Sequence, residues 1–235
     1  MIENKRVLAV CPARGGSKGI PMKNLRRIAG VSMVGRVGQI VAAVPEIDCS
    51  VVSTDHEDIA IEAELYGLGA PFRRPAELSG DRVGDHPVLV HALHEMESRN
   101  GVRYDIVVML QPTSPMRTAR HVRDTISMMV KGQWDSVWTV SETDSKGHPL
   151  KQFVVSDDGM SYYDPAGTAI IARQQLTPVY HRNGIAYAIS RECLMEQGTT
   201  FGKRTGALIL DEKFISIDTE WDIQLVEFAL SNKPL

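Results

Sequence analysis

Pro12-Ala13-Arg14-Gly15-Gly16-Ser17-Lys18-Gly19-Ile20-Pro21-Met22-Lys23-Asn24 puts three glycines and three cations into thirteen residues, directly after a short apolar run. Glycine lets backbone N–H groups come close to an anion, and Lys and Arg add full charge. A phosphate chain is the natural ligand for such a segment. The spacing is not Gly-x-x-x-x-Gly-Lys-Ser/Thr, which disfavours an ordinary P-loop ATPase. Nor is it Gly-x-Gly-x-x-Gly, which disfavours a dinucleotide reader. Glycine also marks turns for conformational reasons alone, so a flexible basic turn is the competing reading.

Other reactive types are weaker candidates. His91 and His94 are three apart on a predicted helix. No cysteine or third histidine has suitable spacing nearby, so a polar-face pair is preferred over a metal site. Cys11 falls in the first predicted strand and reads as a small buried residue rather than a nucleophile. There is no Gly-x-Ser-x-Gly elbow, which removes the usual serine-hydrolase reading. Cys11, Cys49 and Cys193 are odd in number and scattered. They suit neither a disulfide framework nor a zinc cluster, and a cytoplasmic location is expected.

The elements that must position the glycine-rich segment follow from periodicity. Val7-Leu8-Ala9-Val10-Cys11 is short, continuous and apolar, as in a strand buried on both faces. Met33, Val34, Val37, Ile40, Val41 and Val44 have helical spacing, with Ser32 as N-cap. Cys49-Ser50-Val51-Val52-Ser53 is a second strand. Ile59, Ala60, Ala63 and Tyr66 trace another helix, and Val88, Leu89, Ala92, Leu93 and Met96 a third. Ile106-Val107-Val108-Met109-Leu110 is the strongest strand. Thr118 caps a helix with Val122, Ile126, Met129 and Val130 on its apolar face, and Ser136-Val137-Trp138-Thr139-Val140 follows as a strand. Gly184-Ile185-Ala186-Tyr187-Ala188-Ile189 is a late strand, and the last helix carries Trp221, Leu225, Phe228 and Ala229 on one side. Strands alternating with amphipathic helices predict a doubly wound α/β fold, its mostly parallel sheet covered by helices on both faces. From about 142 to 182 the helical period disappears among Gly147, Pro149, Gly159, Pro165 and Pro178, which predicts hairpins or loops.

The chain of 235 residues is 43% hydrophobic and 23% charged, ordinary globular usage. One domain over 1–235 is expected. With 26 Lys and Arg against 29 Asp and Glu, the net charge of −3 argues against a general nucleic-acid binder. No apolar run approaches the roughly 18 residues of a membrane helix, and the first residues lack the pattern of a secretory signal. Neither nucleic acid nor membrane is an expected partner.

Ala13 to Asn24 resembles the N-terminal signature of the acylneuraminate cytidylyltransferases, the CMP-sialic acid synthetase family. Val52-Ser53-Thr54-Asp55, Arg74-Pro75-Ala76-Glu77-Leu78 and Leu110-Gln111-Pro112-Thr113-Ser114-Pro115-Met116-Arg117 resemble family segments in family order. So do His148-Pro149-Leu150-Lys151, Arg173-Gln174-Gln175-Leu176 and Tyr180-His181-Arg182-Asn183-Gly184-Ile185-Ala186-Tyr187. Ile217-Asp218-Thr219-Glu220-Trp221-Asp222 matches in part. The resemblance covers essentially the whole chain. It implies a nucleotide-diphospho-sugar transferase-like fold that couples CTP to the anomeric hydroxyl of a 2-keto-3-deoxy sugar acid and releases pyrophosphate. A nine-carbon acid (N-acylneuraminate, legionaminate or pseudaminate) is the expected acceptor. An eight-carbon acid is the alternative, and so is a catalytically weak nucleotide-binding homologue.

The resemblance also implies roles. Arg14, Lys18 and Lys23, with backbone N–H groups from Gly15 through Gly16 to Ser17, suit the triphosphate. Asn24 is expected near the ribose or phosphate, Arg74 near cytosine, and Gln111 at the sugar. Arg117 precedes a helix cap, so solvated charge, helix-entry contact and ligand binding stay open. Arg14, Lys23 and Asp218 make the expected catalytic set. Family members commonly hold Mg²⁺ through an Asp-x-Asp pattern before the last helix. Here the pattern reads Ser216-Ile217-Asp218, so Asp218 is the expected metal residue and Ser216 a departure; strand alternation would put both on one face. Asp222 is expected to favour the helix start. The irregular stretch 142–182 resembles the family's dimerisation arm, with Lys151 and Arg173 as cations for the sugar acid, which implies a homodimer.

Overall fold

The structure, a computed structural model, describes residues 1–232. In chain order its strands and helices are β1 (Val7–Pro12), β2 (Arg27–Ile28), β3 (Val31–Ser32), α1 (Met33–Ala42), β4 (Cys49–Ser53), α2 (Glu57–Leu65), α3 (Asp85–Asn100), β5 (Ile106–Met109) and α4 (Ala119–Gly132). Then come β6 (Ser136–Glu142), β7 (Phe153–Ser156), β8 (Gly159–Tyr162), β9 (Tyr180–Ser190), α5 (Arg191–Met195), β10 (Thr205–Ile209) and α6 (Glu220–Ser231). The six-stranded sheet runs β10-β6-β9-β5-β1-β4. β1 lies parallel to both β4 and β5, and β9 is antiparallel to β5. This is the expected mostly parallel sheet with helices. Among the described residues no helix is long and apolar enough to cross a membrane.

The chain divides into two compact units. The larger comprises 1–139, 183–208 and 214 onward. In it β1 runs between β4 and β5, and its Val7, Leu8, Ala9, Val10 and Cys11 are all buried, as a strand covered on both faces must be. Leu8, Val10, Val107 and Met109 pack with Leu89, Leu93 and Met96 of α3 in one core. Ile20, Ile28, Met33, Ile217, Ile223 and Val226 form a second core, which joins the glycine-rich segment to α6. The smaller unit comprises 140–182 and 209–213. It holds the hairpin β7–β8, paired from Phe153↔Tyr162 to Ser156↔Gly159, and short 3-10 turns. His148 there accepts from the Leu150 N–H and meets the Thr177 carbonyl at 3.0 Å.

Two expectations need correction. The buried face of α6 is Ile223 and Val226, whereas Trp221 and Phe228 are 64% and 69% exposed. The helix carries two apolar stripes at helical spacing, and the aliphatic one fills the small core. Ser216 and Asp218 do not lie on a strand, because no ladder includes them. Burial still alternates, with Ile217 inside and its two neighbours exposed, so both side chains point outward. The helix α5, the strand β10 and the short hairpin β2–β3 leave no periodic signal in the sequence. Their apolar runs are too brief to show a period.

The start of α6 is a reciprocal cap. Thr219 Oγ accepts from the Asp222 N–H, and Asp222 Oδ2 accepts from the N–H groups of Asp218 and Thr219 at 3.0 and 2.7 Å. Burial opposes ionisation of Asp222, but these bonds prevail and hold its carboxyl below the usual range. A depressed folded-state value means stability that is present above the unfolded value and lost as pH falls through the folded one. Asp222→Ala should therefore cost about 1 kcal/mol at neutral pH, and the gap from wild type should narrow below about pH 4. Urea unfolding at several pH values measures this.

Candidate active site

β1, β4 and β5 end at the same edge of the sheet. Pro12 pairs with Ser53, and Val10 with Met109, so the segments beginning at Ala13, Thr54 and Leu110 leave side by side. Ligands of open α/β sheets bind outside such carboxyl ends. A cleft there is lined by Arg14, Ser17, Lys23 and Asn24 of the loop, by Arg74 and Gln111, and by residues between Leu78 and Val88. Six of the residues expected from sequence thus share one cleft.

Each cation of the glycine-rich loop meets a carboxylate. Arg14 Nη1 donates to Asp81 Oδ1 at 2.7 Å, and Lys18 Nζ lies 2.5 Å from Asp81 Oδ2. These hydrogen bonds hold the Asp81 carboxyl below its ordinary range. Lys23 Nζ donates to Asp218 Oδ1 at 3.0 Å and to the Ile217 carbonyl at 2.9 Å. The loop can lie this close to Asp218 because Gly19 has no side chain: a Cβ there would stand 2.6 Å from the Asp218 carbonyl oxygen. Ile20 and Ile217, both fully buried, fix the two segments in the small core. Asn24 donates to the Arg14 carbonyl at 2.9 Å, which sets the loop's return.

The backbone donors are not equivalent. The Gly15 N–H donates to Asp55 Oδ1 at 2.8 Å, and the Ser17 N–H to the Gly15 carbonyl at 2.9 Å. Gly16 has no backbone donor bond of this kind among the described residues. Two of the three N–H groups expected to face an anion are thus occupied.

Arg74 is only 6% exposed. Its Nη2 donates to the Ser53 carbonyl at 2.6 Å, while its buried Nε has no partner. Burial pulls its guanidinium below the ordinary value, and nearby Asp55 opposes that. A buried guanidinium with an unspent donor in the lining of a cleft suits a hydrogen-bonding ligand. Cys11, beneath the cleft, is pushed up to about 12 by burial, so it is a protonated thiol and not a nucleophile.

Arg117 resolves in favour of a structural contact. It is 6% exposed and donates to the carbonyls of Ile185, Gln111 and Gly184, the last two at 2.6 and 3.0 Å. Burial lowers it to about 10, so it stays charged at neutral pH. It thereby pins the turn bearing Gln111 to β9. Gly184 makes the approach possible: its φ is +73°, and a Cβ would stand 2.4 Å from Ser114 Oγ and 2.9 Å from Gln111 Oε1. Lys151 and Arg173 lie in the smaller unit, each within a 3-10 turn, and Arg173 is exposed.

The sequence alone assigned no role to Asp81, or to Asp55 within its family segment. The usable signal was charge balance. A loop with three cations needs carboxylates; Asp55 closes one segment of the family pattern, and Ser79-Gly80-Asp81 follows directly on another.

A family model described as cytidylyltransferase matches residues 8–225. The chain belongs to the cytidylyltransferase family. It is similar to the CMP-N,N'-diacetyllegionaminic acid synthase of Legionella pneumophila, 32% identical, covering 94% of this chain and 95% of that one. It is 28% identical to the N-acylneuraminate cytidylyltransferase of Streptococcus agalactiae, over 92% of this chain but 51% of that longer protein. Among solved structures, CMP:2-keto-3-deoxy-manno-octonic acid synthetase complexed with CTP shares the fold, with a TM-score of 0.72 at 20% identity, covering 97% of this chain and 99% of that one. The cytidylyltransferase described here is thus a nucleotidyltransferase, and enzymes of this kind commonly use a divalent metal. Among its described residues no three His, Cys, Asp or Glu side chains form a metal cluster. The exposed Asp218 carboxylate, 74% accessible with Ser216 also outward, fits an ion that takes one carboxylate and completes its shell with phosphate and water.

The three bonds from Arg117 carry a stability prediction. Arg117→Met keeps bulk but removes every donor, and should cost about 2–4 kcal/mol in urea unfolding. A cost under about 0.5 kcal/mol would contradict the pinning role.

Proposed function

We propose that this cytidylyltransferase transfers CMP from CTP to the anomeric hydroxyl of a sialic-like nonulosonic acid, with N-acylneuraminate, legionaminate and pseudaminate as the candidate acceptors. The anomeric oxygen bonds to the α-phosphorus, the bond from that phosphorus to the departing pyrophosphate breaks, and the hydroxyl proton passes to the medium. The observation that carries the reading is the grouping of Arg14, Lys18 and Lys23 at the carboxyl edge of the parallel strands. Such cations take the triphosphate and the growing charge on pyrophosphate, so catalysis is positioning and charge neutralisation. Gly16 and Ser17 line this anion path, and Asn24 holds the loop that carries it. The unpartnered Arg74 Nε serves the cytosine carbonyl, and Gln111, pinned by Arg117, serves the sugar.

When bound, Mg²⁺ neutralises phosphate charge, and Asp218 is the residue that would hold it. Because Lys23 now occupies Asp218, the pair must open or share the carboxylate. The three cysteines are free, which suits a cytoplasmic enzyme. In the smaller unit Val155 and Ile171 are 75% and 93% exposed, beside half-exposed Phe153 and Val154. That much uncovered apolar surface supports burial against a second copy, in a homodimer whose arm brings Lys151 and Arg173 to the partner's sugar acid. Arg can then engage the acid's carboxylate bidentately.

Purified protein with CTP, Mg²⁺ and separate sugar acids should release pyrophosphate with a nine-carbon acid. Release only with the eight-carbon acid would reassign the acceptor, and none with any acid would leave a binding homologue. Lys23→Ala should lose on the order of 10²-fold in rate; near-wild-type turnover would remove Lys23 from the catalytic set. For the arm, mixed dimers of Arg173→Ala and Lys23→Ala subunits should recover activity that neither parent shows, because one site keeps both residues. Verified mixed dimers without recovery would contradict an arm acting in trans.

A further inference from the structure

Asp81 belongs to the wall of the cleft that faces the glycine-rich loop, between Gly80 and Val83. Its carboxylate crosses to the opposite wall and takes Arg14 on one oxygen and Lys18 on the other. One side chain thus pairs with two of the loop's three cations and offsets half of their charge, where the triphosphate oxygens are proposed to bind. We propose that Asp81 is a displaceable counter-ion: the triphosphate of CTP must exchange it off Arg14 and Lys18, and it re-forms both pairs as pyrophosphate leaves. This rests on the assignment of Arg14 and Lys18 to the triphosphate.

The exchange is physically reasonable because the pairs are open to water. The Asp81 side chain is 41% exposed, Arg14 33% and Lys18 82%. Ion pairs this exposed contribute little net free energy, so they break readily. A triphosphate offers the same type of acceptor with several times the charge, and it outcompetes a single carboxylate. Before CTP arrives, Asp81 bridges two like charges and offsets part of their mutual repulsion. After transfer, the same carboxylate competes with pyrophosphate, which has fewer charges than CTP and no base to anchor it. Its effect therefore extends to product retention, the step that limits many well-evolved enzymes. This is the opposite of what a metal ligand or substrate contact would do. Removing Asp81 should strengthen binding of the anion.

Calorimetric titration without metal, at low salt and with EDTA, tests this with four probes: CTP, inorganic triphosphate, pyrophosphate and cytidine. Asp81→Asn should bind the three anions about three- to tenfold tighter than wild type and leave cytidine unchanged. The gap should close near 1 M salt, where screening reaches within about 3 Å. In turnover assays, pyrophosphate should inhibit Asp81→Asn at a correspondingly lower concentration. Asp81→Ser should behave alike and guards against a folding artefact of one variant. Arg14→Ala is the control for the underlying assignment and should weaken CTP binding. If Arg14→Ala weakens CTP while Asp81→Asn leaves it unchanged or weaker, the counter-ion role is overturned and the triphosphate assignment stands. If Arg14→Ala binds CTP like wild type, both fall together.

Discussion

The glycine-rich loop concentrates positive charge, and the structure depends on how that charge is balanced. Arg14 and Lys18 meet Asp81, while Lys23 meets Asp218 from the far end of the chain. Asp55 takes the Gly15 N–H. None of these carboxylates is local to the loop, so its shape is set by charge pairing across the fold. The partners at its rim are exposed, whereas Lys23 is mostly covered, at 16% side-chain exposure. The rim can therefore exchange one anion for another while the base of the loop stays in place.

That base is held by packing. Ile20 and Ile217 share a small core with Ile28, Met33, Ile223 and Val226, so Lys23 and Asp218 are delivered from one apolar patch. The cap at Thr219 and Asp222 fixes the backbone on which Asp218 sits. In the same cleft, Arg117 ties the Gln111 turn to β9 through backbone carbonyls alone. A buried charge that satisfies three carbonyls positions a turn more rigidly than apolar contacts would, since each bond has a direction.

Much of this was legible in the residues. β4 and the caps at Ser32 and Thr118 fall where the spacing put them, because strong apolar runs and cap residues are local signals. The cleft residues were found as types in a pattern. What was not legible was pairing. Asp81 is an ordinary acidic turn residue until the fold brings it to Arg14, 67 positions away. Arg117 looked as much like surface charge as anything else, since burial of an arginine is decided by carbonyls elsewhere in the chain. On α6 two stripes competed, and the aromatic one proved to face outward because the aliphatic side chains fit the small core.

A crystal structure of the protein with CTP bound would show whether the loop's cations form the triphosphate receptor. Phosphate oxygens should lie against Arg14, Lys18 and Lys23, with Asp81 released from both of its partners. Triphosphate bound elsewhere, with Asp81 still holding Arg14 and Lys18, would contradict it.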